Sequence, residues 1–179
     1  MSGPLVILMG PMAAGKTSVG RALAARLGVA FCDLDALIVT AAGRPIPEIF
    51  AADGEEGFRE LEAEVLARAL EEQTGVLALG GGAPMRSESG ERLRGRRVVL
   101  LEVDEAIAAR RIARGAGRPM LSGDDPMESW RRLAAERGPV YRDLAALRID
   151  AGSGPPARVA RQIMDELGLR AAGAEEETA

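Results

Sequence analysis

The chain has no histidine and a single cysteine, Cys32, among its 179 residues. These absences exclude a disulfide framework, a zinc site built from cysteine and histidine, and acid–base catalysis by histidine. We expect Cys32, in an apolar stretch, to fill space in the core rather than to act as a reactive thiol. Aromatic residues make up only 3% of the chain, so we do not expect stacking platforms for single-stranded nucleic acid.

The chain also lacks a basic pole and long apolar runs. Its net charge is −4, which gives no electrostatic support for a nucleic-acid partner. The beginning, "MSGPLVILMG", has no basic segment, and its apolar run is too short for a signal peptide or a membrane span. We therefore expect one soluble cytoplasmic domain, with no nucleic-acid or membrane partner. Without coiled-coil heptads or a conspicuous apolar stripe, we expect a monomer.

Lysine is almost absent as well, because 22 of the 23 basic residues are arginine and the only lysine is Lys16. It stands in "GPMAAGKTS", which has the spacing of a phosphate-binding loop: Gly10, four residues, Gly15, Lys16, Thr17. A buried strand is predicted before it and a helix after it, as such a loop requires. Backbone N–H groups would surround the β-phosphate, Lys16 would reach the β- and γ-phosphates, and the Thr17 hydroxyl would bind Mg²⁺.

Two alanines, Ala13 and Ala14, stand where such loops commonly have glycine. Glycine is required only where φ is positive or where the backbone touches phosphate, so we expect both alanines at negative φ. The predicted contacts to ATP in this loop are Pro11, Met12, Ala13, Ala14, Gly15, Lys16, Thr17 and Ser18.

Predicted strands and helices alternate along the chain, which favours an α/β protein with a parallel sheet covered on both faces, a three-layer α/β/α arrangement. Gly28 and Gly43 are expected to end the first two helices as C-caps. The helical stretch near residues 127–145 is predicted in two parts about Gly138 and Pro139. We expect the acidic residues 171–179 to form a disordered tail.

Two aspartates, Asp33 and Asp35, follow in "CDLD" at the end of the second predicted strand. Side chains two residues apart on a strand point the same way, so both carboxylates are expected to face one cleft at the carboxyl edge of the sheet. The alternative is that Asp35 only caps the helix that follows.

Three further constellations carry candidate functional residues. Arg59 lies in a helix with Glu62 three positions later and is a candidate functional residue. The alternative is that the two form a surface ion pair that contributes little to stability. Residues 80–82 are three glycines after a buried strand, and they form either a flexible turn or a place where a substrate approaches the backbone. Arg118 lies in a long loop, typical of a lid over transferring phosphate, although a solvated basic loop is the alternative.

In their order along the chain, the phosphate loop, "DLD", "GRPIPEIFAADGEEGFRELE", "LALGGGAP", "RPML" and "ERGPVYRDLA" resemble shikimate kinases, over about residues 5–165. Residues 43–62 are the most specific part, because general phosphate-loop kinases do not share them. The resemblance implies a P-loop kinase fold with a five-stranded parallel sheet in the order 2-3-1-4-5. It implies one domain over residues 1–170, with a substrate-binding helical region near residues 35–62 and a lid near residues 114–126.

The resemblance also implies an activity, the transfer of the γ-phosphoryl group of ATP to the 3-hydroxyl of shikimate with Mg²⁺, and a set of residue roles. Catalysis would fall to Lys16, Asp35 and Arg118. Beyond the loop, ATP would be contacted by Arg111, Arg118 and Gly154. The metal would be held by Thr17 and Asp33. Shikimate would be bound by Asp35, Arg59, Gly80, Gly81, Gly82 and Arg137.

Two departures from the family pattern affect the nucleotide side. Ala13 replaces a usual glycine, and "AGSGPPA" lacks the basic residue that some members place near adenine, so that Gly154 offers only its backbone. One alternative function is another small-molecule kinase of the same fold, such as a gluconate kinase, which is not expected to carry "IPEIFAADGEEGFRELE" (residues 46–62) or a carboxylate-binding Arg59 and Arg137. Another is a nucleotide-dependent switch, but a GTP-reading Asn-Lys-x-Asp motif is excluded because Lys16 is the only lysine.

Overall fold

The computed structural model describes residues 3–114, 125–152 and 154–171. Within these ranges, all five strands form one sheet in the order β2-β3-β1-β4-β5. Every neighbouring pair is parallel. The strands are β1 (Val6–Met9), β2 (Phe31–Asp33), β3 (Val76–Ala78), β4 (Val98–Glu102) and β5 (Leu147–Asp150). The predicted fold class and strand order are confirmed.

Seven helices surround this sheet in the described part of the chain. They are α1 (Lys16–Leu27), α2 (Leu34–Ala42), α3 (Ile46–Glu72), α4 (Ser87–Leu93), α5 (Glu105–Arg114), α6 (Pro126–Leu144) and α7 (Pro156–Leu167). As predicted, α1 and α2 end at Gly28 and Gly43, whose φ values of 68° and 66° suit a residue without a Cβ. Sequence reasoning missed α4, because it is short and buries Ser89 and Gly90 beside Leu93 instead of an apolar stripe.

The central strand β1 shows why the sheet needs cover on both faces. All four of its side chains are buried. Val6 and Leu8 pack into a cluster with residues of α1 and α7. Ile7 and Met9 face the opposite way, into a cluster formed with α2, α3 and α6. This alternation is what a strand between two helical layers requires.

Two helices differ from the sequence predictions. α6 is one continuous helix that contains Pro139, because buried Trp130, Tyr141 and Leu144 hold both halves against the rest of the protein. The apolar spacing predicts a helix from Glu55, but α3 begins earlier, at Ile46, and is interrupted at Gly54, whose φ of 71° and ψ of −174° are not helical.

Two predicted segments lie almost wholly outside the described residues. They are the lid, of which residues 115–124 including Arg118 are not described, and the tail, of which residues 172–179 are not described. Among the described helices, none combines the length and apolar character needed to cross a bilayer.

Candidate active site

A cavity of about 500 Å³ lies at the carboxyl edge of the sheet, beyond the ends of β2 and β3. This edge is the usual ligand site of open parallel sheets. The predicted site residues that line the cavity are Met12, Ala13, Gly15, Lys16, Thr17, Ser18, Asp33, Asp35, Arg59, Gly80, Gly81, Gly82 and Arg137. The phosphate loop, both aspartates, the glycine loop and two arginines therefore share one space.

The phosphate loop curls around its own lysine. Lys16 Nζ donates to the carbonyl oxygens of Gly10 at 2.8 Å and Pro11 at 3.0 Å. α1 begins at Lys16, directly after Gly15 with its φ of 90°. The first turn of α1 lines the cavity, so the positive end of the helix dipole lies where an anion would bind.

Ala13 does not have the negative φ that was predicted for it. Its φ is 64°, and no other non-glycine residue in the described part of the chain has a positive φ. The left-handed conformation costs an L-residue about 1–2 kcal/mol. Side chains from two helices hold the turn in place: Trp130 Nε1 donates to the Met12 carbonyl and Arg111 Nη1 to the Ala13 carbonyl, each at 2.9 Å. Ala14 has the predicted negative φ and is buried.

Ala13→Gly is expected to stabilise the protein by about 0.5–1 kcal/mol. Glycine relieves the strain of the left-handed conformation in the folded state. This gain is expected to exceed the loss of stability that comes from the greater conformational entropy of glycine in the unfolded chain. The measurement is the free energy of unfolding in urea. The matched control is Ala14→Gly, which is expected to destabilise because Ala14 is buried at negative φ. Equal losses of stability in both variants would contradict the assignment of strain to Ala13.

Asp33, not Asp35, caps helix α2, so the helix-cap alternative for Asp35 is wrong. Asp33 Oδ1 accepts a hydrogen bond from the Asp35 backbone N–H at 3.1 Å. β2 ends at Asp33 and Asp35 lies in the first turn of α2, so the strand-alternation argument is wrong as well. Both side chains nevertheless line the cavity, because the cap turns the chain at its rim.

Thr17 and Asp33 form the candidate metal site. Thr17 Oγ1 donates to Asp33 Oδ2 at 3.0 Å, and both residues line the cavity. Among the described residues, no group of three or more aspartate, glutamate, histidine or cysteine side chains is placed to hold a metal ion, so a protein-only metal cage is absent from them. A hydroxyl and a carboxylate fit Mg²⁺, which takes few protein oxygens and completes its shell with water and phosphate.

Arg59 and Glu62 form a buried ion pair, so the interpretation as a surface pair is wrong. Arg59 Nη1 lies 2.7 Å from Glu62 Oε2, and the two side chains are 15% and 5% exposed. Burial raises the pKa of Glu62, and the charge and hydrogen bond of Arg59 oppose that shift. The Arg59 guanidinium also lies 5.2 Å from the ring centre of Phe58, which fixes its orientation further.

Each glycine of residues 80–82 faces a side chain of the site. A Cβ on Gly80 would lie 2.8 Å from Asp35 Oδ1. One on Gly81 would lie 3.1 Å from Arg137 Nη1, and one on Gly82 would lie 2.7 Å from Arg59 Cζ. None of the three has a positive φ, so the requirement for glycine comes from space. The loop lets a carboxylate and two guanidinium groups converge on the backbone.

Tyr141, which sequence reasoning did not single out, holds the glycine loop from α6. Its hydroxyl donates to the Gly81 carbonyl at 2.5 Å and accepts a hydrogen bond from Arg137. Burial raises the pKa of Tyr141, so the hydroxyl keeps its proton and remains a donor. Its spacing of four residues from Arg137, one helical turn, was the available signal.

Of the predicted ATP contacts that the structure describes, four do not line the cavity: Pro11, Ala14, Arg111 and Gly154. Arg111 instead bridges the Ala13 and Ala151 carbonyls, at 2.9 and 2.8 Å. It therefore joins the phosphate loop to the segment that follows β5. A Cβ on Gly154 would lie 2.9 Å from Arg158 Cδ, so the exposed Arg158 side chain would have to shift to admit it.

Phe50 and Phe58 form the apolar wall of the cavity and were not predicted as site residues. Their rings stack with centroids 4.4 Å apart. Ile46 and Pro47 extend this wall along the first segment of α3. Because no local pattern distinguishes these residues from ordinary core residues, only the folded position of α3 reveals them.

Comparison with known proteins identifies one family. A model of the shikimate kinase family matches residues 12–168. The shikimate kinase of Thermobifida fusca is 47% identical over 166 residues, which cover 93% of this chain and 96% of the relative. The solved shikimate kinase of Acinetobacter baumannii, in complex with shikimate, aligns with a TM-score of 0.87 at 37% identity over 93% of each chain.

A gluconokinase from Sinorhizobium meliloti aligns more weakly, with a TM-score of 0.55 at 20% identity over 93% of this chain and 91% of its own. That likeness shows a shared fold alone. The family model covers most of the chain, and the relatives retain more than a third identity over nearly its whole length. The chain belongs to the shikimate kinase family.

Proposed function

We propose that this protein is an ATP-dependent kinase that transfers the γ-phosphoryl group of ATP to the 3-hydroxyl of shikimate, giving shikimate 3-phosphate and ADP. One observation carries the proposal: a single cavity joins a phosphate loop to a carboxylate and two arginines. Family membership supports the same activity. Shikimate carries a carboxylate and hydroxyl groups, and the second half of the cavity offers partners for both.

The nucleotide side consists of the phosphate loop and the start of α1. The Lys16 ammonium donates to the Gly10 and Pro11 carbonyls at the cavity and is proposed to bind the β- and γ-phosphate oxygens there. Thr17 and Asp33 are proposed to hold Mg²⁺ with the phosphates. When bound, the ion neutralises charge on the phosphoryl oxygens. Arg111 and Gly154 are proposed to act near the base, and Arg118 to act from the lid.

The acceptor side consists of Arg59, Arg137, Asp35 and the backbone of residues 80–82. Guanidinium groups bind carboxylates through paired hydrogen bonds, so Arg59 and Arg137 are proposed to hold the shikimate carboxylate. Asp35 is proposed to accept the proton of the shikimate 3-hydroxyl. The hydroxyl oxygen then bonds to the γ-phosphorus, while the bond between the γ-phosphorus and the ADP oxygen breaks. The proton passes to the Asp35 carboxylate and the leaving charge stays on ADP.

We further propose that the protein works as a monomer in the cytoplasm, in one domain over residues 1–170. In support, Val39 is the only large apolar residue in the described part of the chain that is exposed, with 36% of its surface accessible to solvent. Size-exclusion chromatography with light scattering measures the oligomeric state directly. A stable dimer at micromolar concentration would overturn the monomer proposal.

The test of function is ATP consumption by the purified protein in a coupled assay that detects ADP. We expect rapid turnover only when shikimate and Mg²⁺ are both present, and loss of turnover when EDTA removes the metal. Gluconate in place of shikimate is the matched control, and it should give only background. Equal turnover with and without shikimate, or faster turnover with gluconate, would overturn the assignment.

A further inference from the structure

One face of α6 carries four residues at helical spacing: Trp130, Ala134, Arg137 and Tyr141. Steps of four, three and four residues place their side chains in one row along the helix. Trp130 and Tyr141 are buried at 7% and 3% exposure, and Arg137 between them lines the cavity. The row therefore lies along the side of α6 that faces the site.

The two ends of this row bind two different loops. Trp130 Nε1 donates to the Met12 carbonyl in the phosphate loop at 2.9 Å. Tyr141 Oη donates to the Gly81 carbonyl in the glycine loop at 2.5 Å. A helix is a rigid spacer, and the eleven residue steps from Trp130 to Tyr141 span about 16 Å. One rigid element thus contacts the nucleotide-side loop and the substrate-side loop through side-chain donors.

Each of the two hydrogen bonds also orients a peptide group. In a trans peptide the carbonyl and the next N–H point in opposite directions. The bond from Trp130 therefore turns the Ala13 N–H away from α6, and the bond from Tyr141 does the same for the Gly82 N–H. Ala13 and Gly82 both line the cavity, so the orientation of their backbones matters for a bound ligand.

We propose that Trp130 and Tyr141 are positioning residues that fix the phosphate loop and the glycine loop at a set separation through α6. The division into a nucleotide side and a substrate side rests on the proposed function. Phosphoryl transfer depends mainly on the alignment of donor and acceptor, and a displacement of about 1 Å can lower the rate 100-fold. Neither Trp130 nor Tyr141 is assigned a contact with either substrate.

The test uses Trp130→Phe and Tyr141→Phe in the full-length protein, since each removes one donor and keeps an aromatic ring. Isothermal titration calorimetry measures the Kd of ADP and of shikimate separately. We expect Tyr141→Phe to raise the shikimate Kd about tenfold, the size expected when the buried hydroxyl loses its hydrogen bonds to Gly81 and Arg137, and to change the ADP Kd less than about twofold. Trp130→Phe should show the reverse selectivity, and kcat should fall in both.

Matched controls separate positioning from packing. The controls are Ile112→Val and Leu144→Val. Ile112 packs against the apolar cluster that contains Trp130, and Leu144 lies one turn beyond Tyr141 on α6. Both are expected to lower the unfolding midpoint without moving either Kd. Unchanged Kd values in the two Phe variants, or equal weakening of both ligands in each, would overturn the proposal. Failure of the wild-type protein to bind shikimate would instead overturn the proposed function, while the ADP arm would still test Trp130.

Discussion

Replacing Asp35 by asparagine is expected to lower kcat by a factor of about 100 to 10,000, the usual contribution of a general base. Asparagine has nearly the same shape but cannot accept the proton of the attacking hydroxyl. The fold should survive, because the cap of α2 uses the backbone N–H of residue 35 and the side chain of Asp33. The ADP Kd should change much less than kcat, since Lys16 donates to the Gly10 and Pro11 carbonyls within the phosphate loop itself.

The matched control for Asp35→Asn is Asp143→Asn. Asp143 lies on α6, has a side chain 58% exposed and pairs with Arg94 at 2.7 Å, away from the cavity. Its neutralisation should leave kcat and KM unchanged. Single-turnover measurement of ATP cleavage with saturating shikimate separates chemistry from product release. Full activity in Asp35→Asn would show that this carboxylate only lines the site.

The second large effect is expected from Arg59→Gln, which should raise the KM for shikimate about 100-fold or more. The variant removes one of the two guanidinium groups proposed to hold the shikimate carboxylate. It should also destabilise the protein by about 3–5 kcal/mol, because Glu62 is left buried without its nearest cation. Steady-state kinetics and urea unfolding measure the two effects independently.

The stability of the Arg59→Gln variant is expected to depend on pH because of Glu62. Burial raises the pKa of Glu62 in the folded state, and the loss of Arg59 removes the largest effect that opposes this shift. The folded protein then binds a proton that the unfolded chain has released. Stability is therefore greatest below the ordinary pKa of glutamate and is lost as the pH rises through the raised pKa of the folded state. Unfolding midpoints measured between acidic and neutral pH test this sign.

Two further variants separate binding from stability at Arg59. Adding Glu62→Gln to Arg59→Gln removes the unpaired charge, so it should restore stability without restoring the KM for shikimate. Arg68→Gln is the matched control on the same helix, because Arg68 is 53% exposed and pairs with Glu64 at 3.5 Å. It is expected to change neither property measurably. If Arg68→Gln and Arg59→Gln behave alike, the assignment of Arg59 to the substrate is wrong.

Local chemistry explains what the sequence predicted correctly. The phosphate-loop spacing, the strand before it and the helix after it are determined within about twenty residues, and α1 ends at Gly28 because glycine tolerates the left-handed conformation of a C-cap. The alternation of predicted strands and helices was enough to predict a parallel sheet between two layers of helices. The strand order followed from the family resemblance rather than from local pattern.

Long-range contacts explain what the sequence could not predict. The positive φ of Ala13 is maintained by Arg111 and Trp130, which are 98 and 118 residues away from the carbonyls they bind. Arg59 and Glu62 are buried because the glycine loop packs over them, and that loop is distant in sequence. β2 ends at Asp33, two residues earlier than the predicted strand, so Asp33 caps α2 and Asp35 lies in its first turn.

Trp130 has a consequence for how the protein can be observed. It is the only tryptophan in the chain, and its indole N–H is bonded to a carbonyl of the phosphate loop. Indole emission responds to the polarity and hydrogen bonding of its surroundings, and no second tryptophan contributes background. A shift of the loop by a fraction of an ångström on nucleotide binding therefore alters the only strong fluorophore of the molecule. The native protein carries an optical reporter at its nucleotide side, without any label.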